Sequence, residues 1–257
     1  MKALISTICF IAAITAHASS DLVVGVWLFN EGKGWYTYNE AGKRSSVLGD
    51  RSWTEGKFGK CLDFSTNQLS RIRDLPQQMP AEEITVTAWT KILDFRNARL
   101  FDSTPDFDNP NWTIGVLLPW DDRVRWRFGS PYIELTAEFD TDVKDIWRHW
   151  AFVHSRRDNL MAIYLDGELL ASLNTSTRFI PPEDASSLVI GGPDRFHGLI
   201  DEFAIFNIPL AERDIRSVMA RGLATVLAVA PNYKLATSWG NIKSGLISRT
   251  NIMRDIR

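Results

Sequence analysis

The sequence predicts an all-β protein, an antiparallel two-sheet sandwich or jelly roll with one short helix near the C-terminus. Many short segments rich in β-branched, aromatic and aliphatic residues follow one another at even spacing. Asp166-Gly167 separates two such segments and fits the two positive-φ positions of a type I′ hairpin turn. Strong helical periodicity is confined to residues 210–221, between Pro209 and Gly222.

The predicted strands can be followed along the chain. Residues 84–92 give the clearest alternation, with Ile84, Val86, Ala88 and Ile92 on one face. Residues 35–56 are predicted to form a long loop with one or two brief strands, and residues 225–239 to add two strands. The remaining predicted strands span 23–29, 56–64, 69–73, 99–102, 112–118, 123–128, 132–136, 147–154, 162–165, 168–170, 187–190 and 198–206.

The N-terminal residues have the pattern of a secretory signal peptide. Lys2 precedes an apolar run, and Ala16-His17-Ala18 fits a small-residue cleavage site. We therefore expect a signal peptide over 1–18, one sandwich domain over 19–222 and a C-terminal extension over 223–257. The expected location is secreted, periplasmic or extracellular.

Charge, hydropathy and cysteine content exclude several classes of partner and an internal disulfide. The chain has 29 Lys and Arg against 31 Asp and Glu, a net charge of −2, which argues against nucleic acid. No apolar run after the leader reaches the ~20 residues needed to cross a bilayer, so membrane insertion is not expected. Cleavage would leave Cys61 without a partner for an internal disulfide, and its strand position favours a buried, unreactive thiol.

Six segments in order carry a family resemblance. They include Gly25-Val26-Trp27-Leu28-Phe29, the hairpin around Asp166-Gly167 and Ile200-Asp201-Glu202-Phe203. The set spans 25–32, 56–64, 84–91, 147–155, 162–170 and 198–210. It resembles laminin G-like jelly-roll domains of the concanavalin A-like lectin/glucanase superfamily. The resemblance implies a two-sheet sandwich, a fold that hosts lectins, adhesion modules and glycosidases.

The resemblance does not extend to catalytic carboxylates. Laminarinase-type relatives carry Glu-x-Asp-x-x-Glu on one strand, and this spacing is absent here. Asp201 and Glu202 are adjacent, so we expect them on opposite faces and in structural roles. His149 and His154 also fall on opposite faces of one strand. The sequence therefore predicts no enzyme.

Calcium is a candidate cofactor because the resemblance implies a metal site at one loop edge of the sandwich. The candidate oxygen ligands are Asp106, Asp108 and Asn109 in one loop and Asp194 in another. The same residue types also form turns without any metal. Both interpretations stay open.

An arginine-lined strand is the candidate ligand-binding face. Arg123, Arg125 and Arg127 alternate with apolar residues, which suits an anionic glycan. Pairing with Glu134 and Glu138 on the next strand is the alternative explanation. Three further candidates lie beside this strand or at the loop edge, Trp112, Trp120 and Arg195.

The sequence thus predicts a secreted, non-catalytic module that binds carbohydrate or a glycoprotein surface, with calcium as a candidate aid. A structural or adhesion protein that binds another protein is the alternative. A glycoside hydrolase or lyase is the second alternative. An enzyme would need a carboxylate pair ~5–9.5 Å apart in a cleft.

Overall fold

The computed structural model has two antiparallel sheets packed face to face, with two helices on the outside of the larger sheet. It describes residues 23–40, 43–46, 52–65, 70–72, 80, 82–94, 98–102, 114–118, 122–128, 133–140, 142–175, 188–191 and 196–229. The all-β sandwich predicted from the sequence is confirmed.

Within the described residues, the larger sheet has eight strands, β1 (Val23–Trp27), β4 (Ser52–Glu55), β5 (Lys60–Asp63), β7 (Glu83–Ile92), β12 (Trp147–Ser155), β13 (Leu160–Leu165), β14 (Glu168–Asn174) and β16 (Gly198–Phe206). Their order is β14-β13-β12-β7-β16-β5-β4, with β1 also pairing with β16. The three longest strands, β7, β12 and β16, are neighbours in this order and fall in segments that carry the family resemblance.

The smaller sheet has six strands, in the order β11-β10-β9-β8-β15-β6. These are β6 (Ser70–Ile72), β8 (Ala98–Asp102), β9 (Ile114–Leu118), β10 (Arg123–Phe128), β11 (Ile133–Glu138) and β15 (Leu188–Ile190). A separate hairpin pairs β2 (Tyr36–Asn39) with β3 (Lys43–Ser46). The 35–56 segment therefore holds three strands, β2, β3 and β4, where one or two were predicted.

Aromatic side chains fill the space between the two sheets. The Phe101 ring lies 5.9 Å from Trp126, 5.4 Å from Phe152 and 5.8 Å from Phe203. All four side chains are fully buried. Tilted and edge-on contacts at these centroid distances suit the quadrupoles of the rings and add to the hydrophobic gain. One core cluster therefore joins both sheets.

A second apolar layer lies on the outer face of the larger sheet. Helix α1 (Glu212–Arg221) buries Ile215 and Val218, and α2 (Leu223–Val229) buries Leu223 and Val226. These side chains share a cluster with outward-facing strand residues. None of the described helices is long and apolar enough to span a membrane.

The α2 helix corrects the strands predicted for residues 225–239. Residues 225–229 are helical, and the rest of that prediction lies outside the described residues. Leu223 and Val226 stand three positions apart and are both buried, which places them on one helix face toward the sheet. Packing against the sheet therefore overrides the strand preference of Thr225 and the valines. The described residues near the C-terminus therefore form two short helices where one was expected.

The hairpin turn between β13 and β14 has the predicted geometry. Asp166 has a φ of 50° and Gly167 a φ of 79°, the two positive values that a type I′ turn requires. The predicted face of β7 is also confirmed, because Ile84, Val86 and Ala88 all pack in the cluster between the sheets.

Candidate functional site

The arginine row lies on β10, an inner strand of the smaller sheet. Val124 and Trp126 are fully buried between the sheets, whereas Arg123, Arg125 and Arg127 alternate with them on the outer face and are partly exposed. The side chains of Arg125 and Arg127 are 28% and 22% exposed. The structure therefore brings three guanidinium groups into one row along one strand.

Glu134 on β11 bridges two of these arginines. Its Oε1 lies 3.2 Å from Arg125 Nε, within ion-pair distance but without hydrogen-bond geometry, and its Oε2 accepts a hydrogen bond from Arg127 Nε. Arg123 stands opposite Glu138 in the β10–β11 register. The five residues carry three positive and two negative charges, so the face keeps a positive excess. The predicted pairing with the neighbouring strand is thus present for Glu134.

The other predicted site residues lie outside the described part of the chain. These are Asp106, Asp108, Asn109, Trp112, Trp120, Asp194 and Arg195. The calcium site and the aromatic contribution to ligand binding therefore stay predictions. Among the described residues, no group of three or more His, Cys, Asp or Glu side chains could hold a metal ion.

Asp201 and Glu202 occupy a β-bulge, which corrects the prediction that they face opposite sides. The β16–β7 register shifts between Asp201 and Ala204, and Glu202 has a φ of 51°. Ile200 and Phe203 both pack between the sheets, so two residues separate them instead of one. A bulge places an extra residue on one strand and breaks the simple alternation.

Both carboxylates point to the same neighbourhood around Phe58. Phe58 N–H donates to Asp201 Oδ2 at 2.9 Å. Glu202 Oε2 accepts a hydrogen bond from the Leu223 N–H at the start of α2. A methyl group built on Gly222 would lie 3.2 Å from the Phe58 ring and 3.3 Å from Glu202 Oε2. The bulge therefore ties the β4–β5 turn and the α1–α2 junction to the sheet.

Burial makes both carboxyl groups difficult to ionise. Desolvation raises the pKa of Asp201 to about 7. Hydrogen bonds from the backbone of Phe58, Lys57 and Glu202 act in the opposite direction but are weaker than the effect of burial. Desolvation also raises the pKa of Glu202 to about 7, and the Asp201 charge adds to that rise. Catalytic acids often show such values. However, Asp201 is 0% and Glu202 3% exposed, so a sugar cannot reach either carboxyl in this arrangement.

The two histidines and Cys61 have structural surroundings. Burial lowers the pKa of His149 to about 3 and that of His154 to about 4, so both imidazoles are neutral near pH 7. His149 packs edge-on against Trp89 at 5.3 Å between ring centroids. Burial raises the pKa of Cys61 to about 12, which makes it a poor nucleophile. The prediction of a buried cysteine is confirmed.

Sequence reasoning missed an exposed aromatic patch at β2. Trp35, Tyr36 and Tyr38 are 60%, 45% and 50% exposed. Trp35 is the exposed member of the described tryptophans, and the rest are buried or intermediate. The available signal was the alternation Tyr36-Thr37-Tyr38-Asn39, in which aromatic and polar residues take opposite faces. It was missed because this segment was expected to be mostly loop.

Comparison with known proteins supports the architecture. A laminin G-type family model, described as Concanavalin A-like lectin/glucanases superfamily, matches residues 64–216, more than half of the chain. A search of curated proteins returns no match.

Among solved structures, the binding domain of botulinum neurotoxin serotype D is similar, with a TM-score of 0.60 and 16% identity over 78% of this chain and 52% of that chain. The binding domain of Paraclostridial Mosquitocidal Protein 1 has a TM-score of 0.61 and 14% identity over 78% of this chain and 52% of that chain. A botulinum neurotoxin serotype D ligand-binding domain, solved in complex with N-acetylneuraminic acid, has a TM-score of 0.61 and 14% identity over 78% of this chain and 51% of that chain.

The chain spans about half the length of these solved domains, and the low identities make the likeness one of fold. The family match begins just after β5 and ends within α1, so it contains the arginine row and the bulge. The chain therefore belongs to the concanavalin A-like lectin/glucanase superfamily and has its laminin G-like jelly-roll fold.

Proposed function

We propose that the chain is a secreted, non-catalytic module that binds acidic carbohydrate on glycoprotein surfaces through the arginine row of β10. The observation that carries the proposal is the geometry of Arg123, Arg125 and Arg127, three partly exposed guanidinium groups in one line. A guanidinium presents parallel N–H donors that match the two oxygens of a carboxylate or sulfate. The rigid strand holds these donors before any ligand arrives, which limits the entropy lost on binding.

The comparisons support an acidic ligand. One protein of similar fold was solved with N-acetylneuraminic acid, a sugar that carries a carboxylate. In the present chain an incoming carboxylate would compete with Glu134 for Arg125 and Arg127. Because these side chains are only partly exposed, the ion pairs that form there are screened less than fully exposed ones.

The non-catalytic part of the proposal has its own support. The chain lacks the Glu-x-Asp-x-x-Glu spacing of glucanases. The two described carboxyls with pKa values near 7 are buried and hold backbone N–H groups. We also propose that a calcium ion assists binding, with Asp106, Asp108, Asn109 and Asp194 as its oxygen ligands.

A glycan array tests the proposal. The chain should bind sialylated or sulfated glycans, and the double variant Arg125→Gln/Arg127→Gln should lose at least about tenfold in affinity, because the missing N–H forks are charge-assisted. Raising the salt concentration should weaken wild-type binding. Arg213→Gln is the matched control, since that side chain on α1 is 53% exposed and far from β10 in sequence.

Two further experiments test calcium binding and the assigned glycan-binding face separately. Chelation by EDTA should lower the melting temperature if calcium binds the native state, and Asp108→Ala/Asp194→Ala should remove the response to added calcium. Acidic-glycan binding that survives the double arginine substitution would contradict the assigned face. An array without bound glycan would contradict the function itself.

A further inference from the structure

The β2 strand carries an aromatic surface that the arginine row does not use. Tyr36 and Tyr38 stand two residues apart on the exposed face of β2, and Trp35 precedes them. Residues at i and i+2 of a strand point the same way, about 6.6–6.8 Å apart along it. Tyr36 and Tyr38 therefore share one face, and the exposed Trp35 is next to Tyr36 in the chain. We call these three exposed aromatic residues the β2 platform.

The buried face of β2 is fixed to the rest of the domain by polar side chains. Asn39 Oδ1 accepts a hydrogen bond from Val26 N–H at 3.0 Å, and its Nδ2 donates to Val24 O at 3.4 Å. Glu31 Oε1 accepts from Thr37 Oγ1 at 2.9 Å and from Tyr38 N–H at 2.6 Å. These bonds orient the strand, so the exposed rings are presented on an ordered backbone.

The size of the platform matches one or two sugar rings. Full burial of an aromatic side chain removes about 150–250 Å² of surface. With exposures of 60%, 45% and 50%, the three rings present roughly 300 Å². A stable protein–protein interface needs about 800 Å² on each partner. An exposed patch of about 300–600 Å² is the size at which a monomer's largest patch is often functional.

The chemistry of the platform also matches a sugar. The faces of the rings carry negative electrostatic potential and attract the weakly positive C–H groups on the apolar face of a pyranose. The two phenol hydroxyls and the indole N–H provide hydrogen-bonding groups at the edges of the rings. Tyr and Trp lose little conformational entropy when they bind, because each has two χ angles.

We propose that Trp35, Tyr36 and Tyr38 form a second carbohydrate site, which stacks neutral pyranose rings and acts independently of the arginine row. The proposal extends the proposed function to a second class of sugar but does not depend on β10. Sugar binding at the β2 platform is driven by stacking, so its affinity should change little as the salt concentration rises. Binding at the arginine row should weaken under the same change, because salt screens charged groups.

The test is an array of neutral oligosaccharides built from glucose, mannose, galactose or N-acetylglucosamine. The wild-type chain should bind at least one of them, and Trp35→Ala/Tyr38→Ala should lose at least about tenfold in affinity. Trp35→Phe/Tyr38→Phe keeps two ring faces and should retain most of the binding. Leu169→Ala is the matched control, because Leu169 is 51% exposed on another strand.

The outcomes distinguish the platform from the arginine row. Neutral-glycan binding that survives Arg125→Gln/Arg127→Gln but not Trp35→Ala/Tyr38→Ala supports the platform. Three array results overturn it: no neutral glycan bound, binding that the double alanine variant retains, or an alanine effect confined to acidic glycans. Sedimentation of both proteins is run in parallel, and a dimer that the alanine variant converts to monomer would make the patch a self-association surface and overturn the proposal.

Discussion

The bulge carboxylates and the arginine row are both polar groups on sheet surfaces, but their surroundings differ. Asp201 and Glu202 are 0% and 3% exposed and each accepts a backbone N–H from another element. Arg125 and Arg127 are 28% and 22% exposed and share one carboxylate on the neighbouring strand. Substitutions of the bulge carboxylates should therefore change the stability of the fold, whereas substitutions on the arginine face should change ligand binding.

The largest effect should come from removing the charges of the bulge. Both carboxyls ionise at about 7 in the folded chain, against ordinary values of 3.8 and 4.5. Between those limits the folded state binds more protons than the unfolded state, so the free energy of unfolding falls as pH rises. This contribution is fully present below about pH 4 and lost above about pH 7.

The variant Asp201→Asn/Glu202→Gln tests this dependence. It should match the wild type near pH 4, where the wild-type carboxyls are protonated. At pH 8 it should exceed the wild-type stability by on the order of 8 kcal/mol, because the contributions of the two shifts add. Urea denaturation at several pH values measures the difference. Glu212→Gln, on an exposed part of α1, is the control. A difference that does not vary with pH would contradict the assigned origin of the shifts.

Two buried histidines change the free energy of unfolding with pH in the opposite direction from the bulge carboxyls. The test therefore compares the variant with the wild type at each pH, so that the contribution of the histidines cancels. Burial lowers the pKa of His149 to about 3 and of His154 to about 4, from 6.5. Between these values the unfolded chain binds more protons, so the free energy of unfolding falls as the pH decreases. The two trends overlap between about pH 4.5 and 6.5, and both histidines are present in the variant and in the wild type.

Crowding at the bulge gives the next effect. A methyl group on Gly56 would lie 2.5 Å from Asp201 Oδ2 and 2.8 Å from the backbone oxygen of Lys60. Gly56→Ala should therefore lower the free energy of unfolding by about 2 kcal/mol, the usual scale for overpacking. Glu55→Ala next to it, with a side chain 80% exposed, should change it by less than about 1 kcal/mol. Equal urea midpoints for wild type and Gly56→Ala would show that the β4–β5 turn can move away from the bulge.

The contrast between these regions also explains what the sequence could predict. The β7 strand and the Asp166-Gly167 turn depend on local patterns, a two-residue period and a turn dipeptide, and both were predicted correctly. The bulge depends on a non-glycine residue, Glu202, with positive φ. The side chains of the bulge have non-local partners: Asp201 accepts a hydrogen bond from Phe58 N–H, 143 residues away, and Glu202 accepts one from Leu223 N–H, 21 residues away. Non-local contacts of this kind leave no periodic signal.

The candidate sites show the same division. Alternation placed the arginines on one face of β10, and the register with β11 followed from adjacent strands. The β2 platform was missed because residues 35–56 were expected to be mostly loop, and even a predicted strand would not have shown which of its two faces is exposed. In β2 the polar Thr37 and Asn39 are buried through hydrogen bonds to Glu31 and the β1 backbone, and the tyrosines are exposed. Side-chain hydrogen bonding therefore reverses the usual assignment of polar and apolar faces.

The smallest effect on stability, with a clear effect on binding, is expected for Glu134→Gln. The substitution removes the carboxylate that bridges Arg125 and Arg127 but keeps the shape of the side chain. Partly exposed ion pairs contribute little, so stability should change by less than about 1 kcal/mol. Affinity for acidic glycans should rise and become more sensitive to salt, because the arginines gain net positive charge. A glycan titration at two salt concentrations measures both.

The same chemical change, from carboxylate to amide, therefore separates the two regions. Asp201→Asn should alter the pH dependence of unfolding and leave glycan affinity unchanged, whereas Glu134→Gln should do the reverse. If Glu134→Gln instead weakens binding, Glu134 orients the guanidinium groups for the ligand, and the arginine row needs its ion pairs intact. If it destabilises the chain by several kcal/mol, the row belongs with the bulge as part of the folding core, and the acidic-glycan site must lie elsewhere.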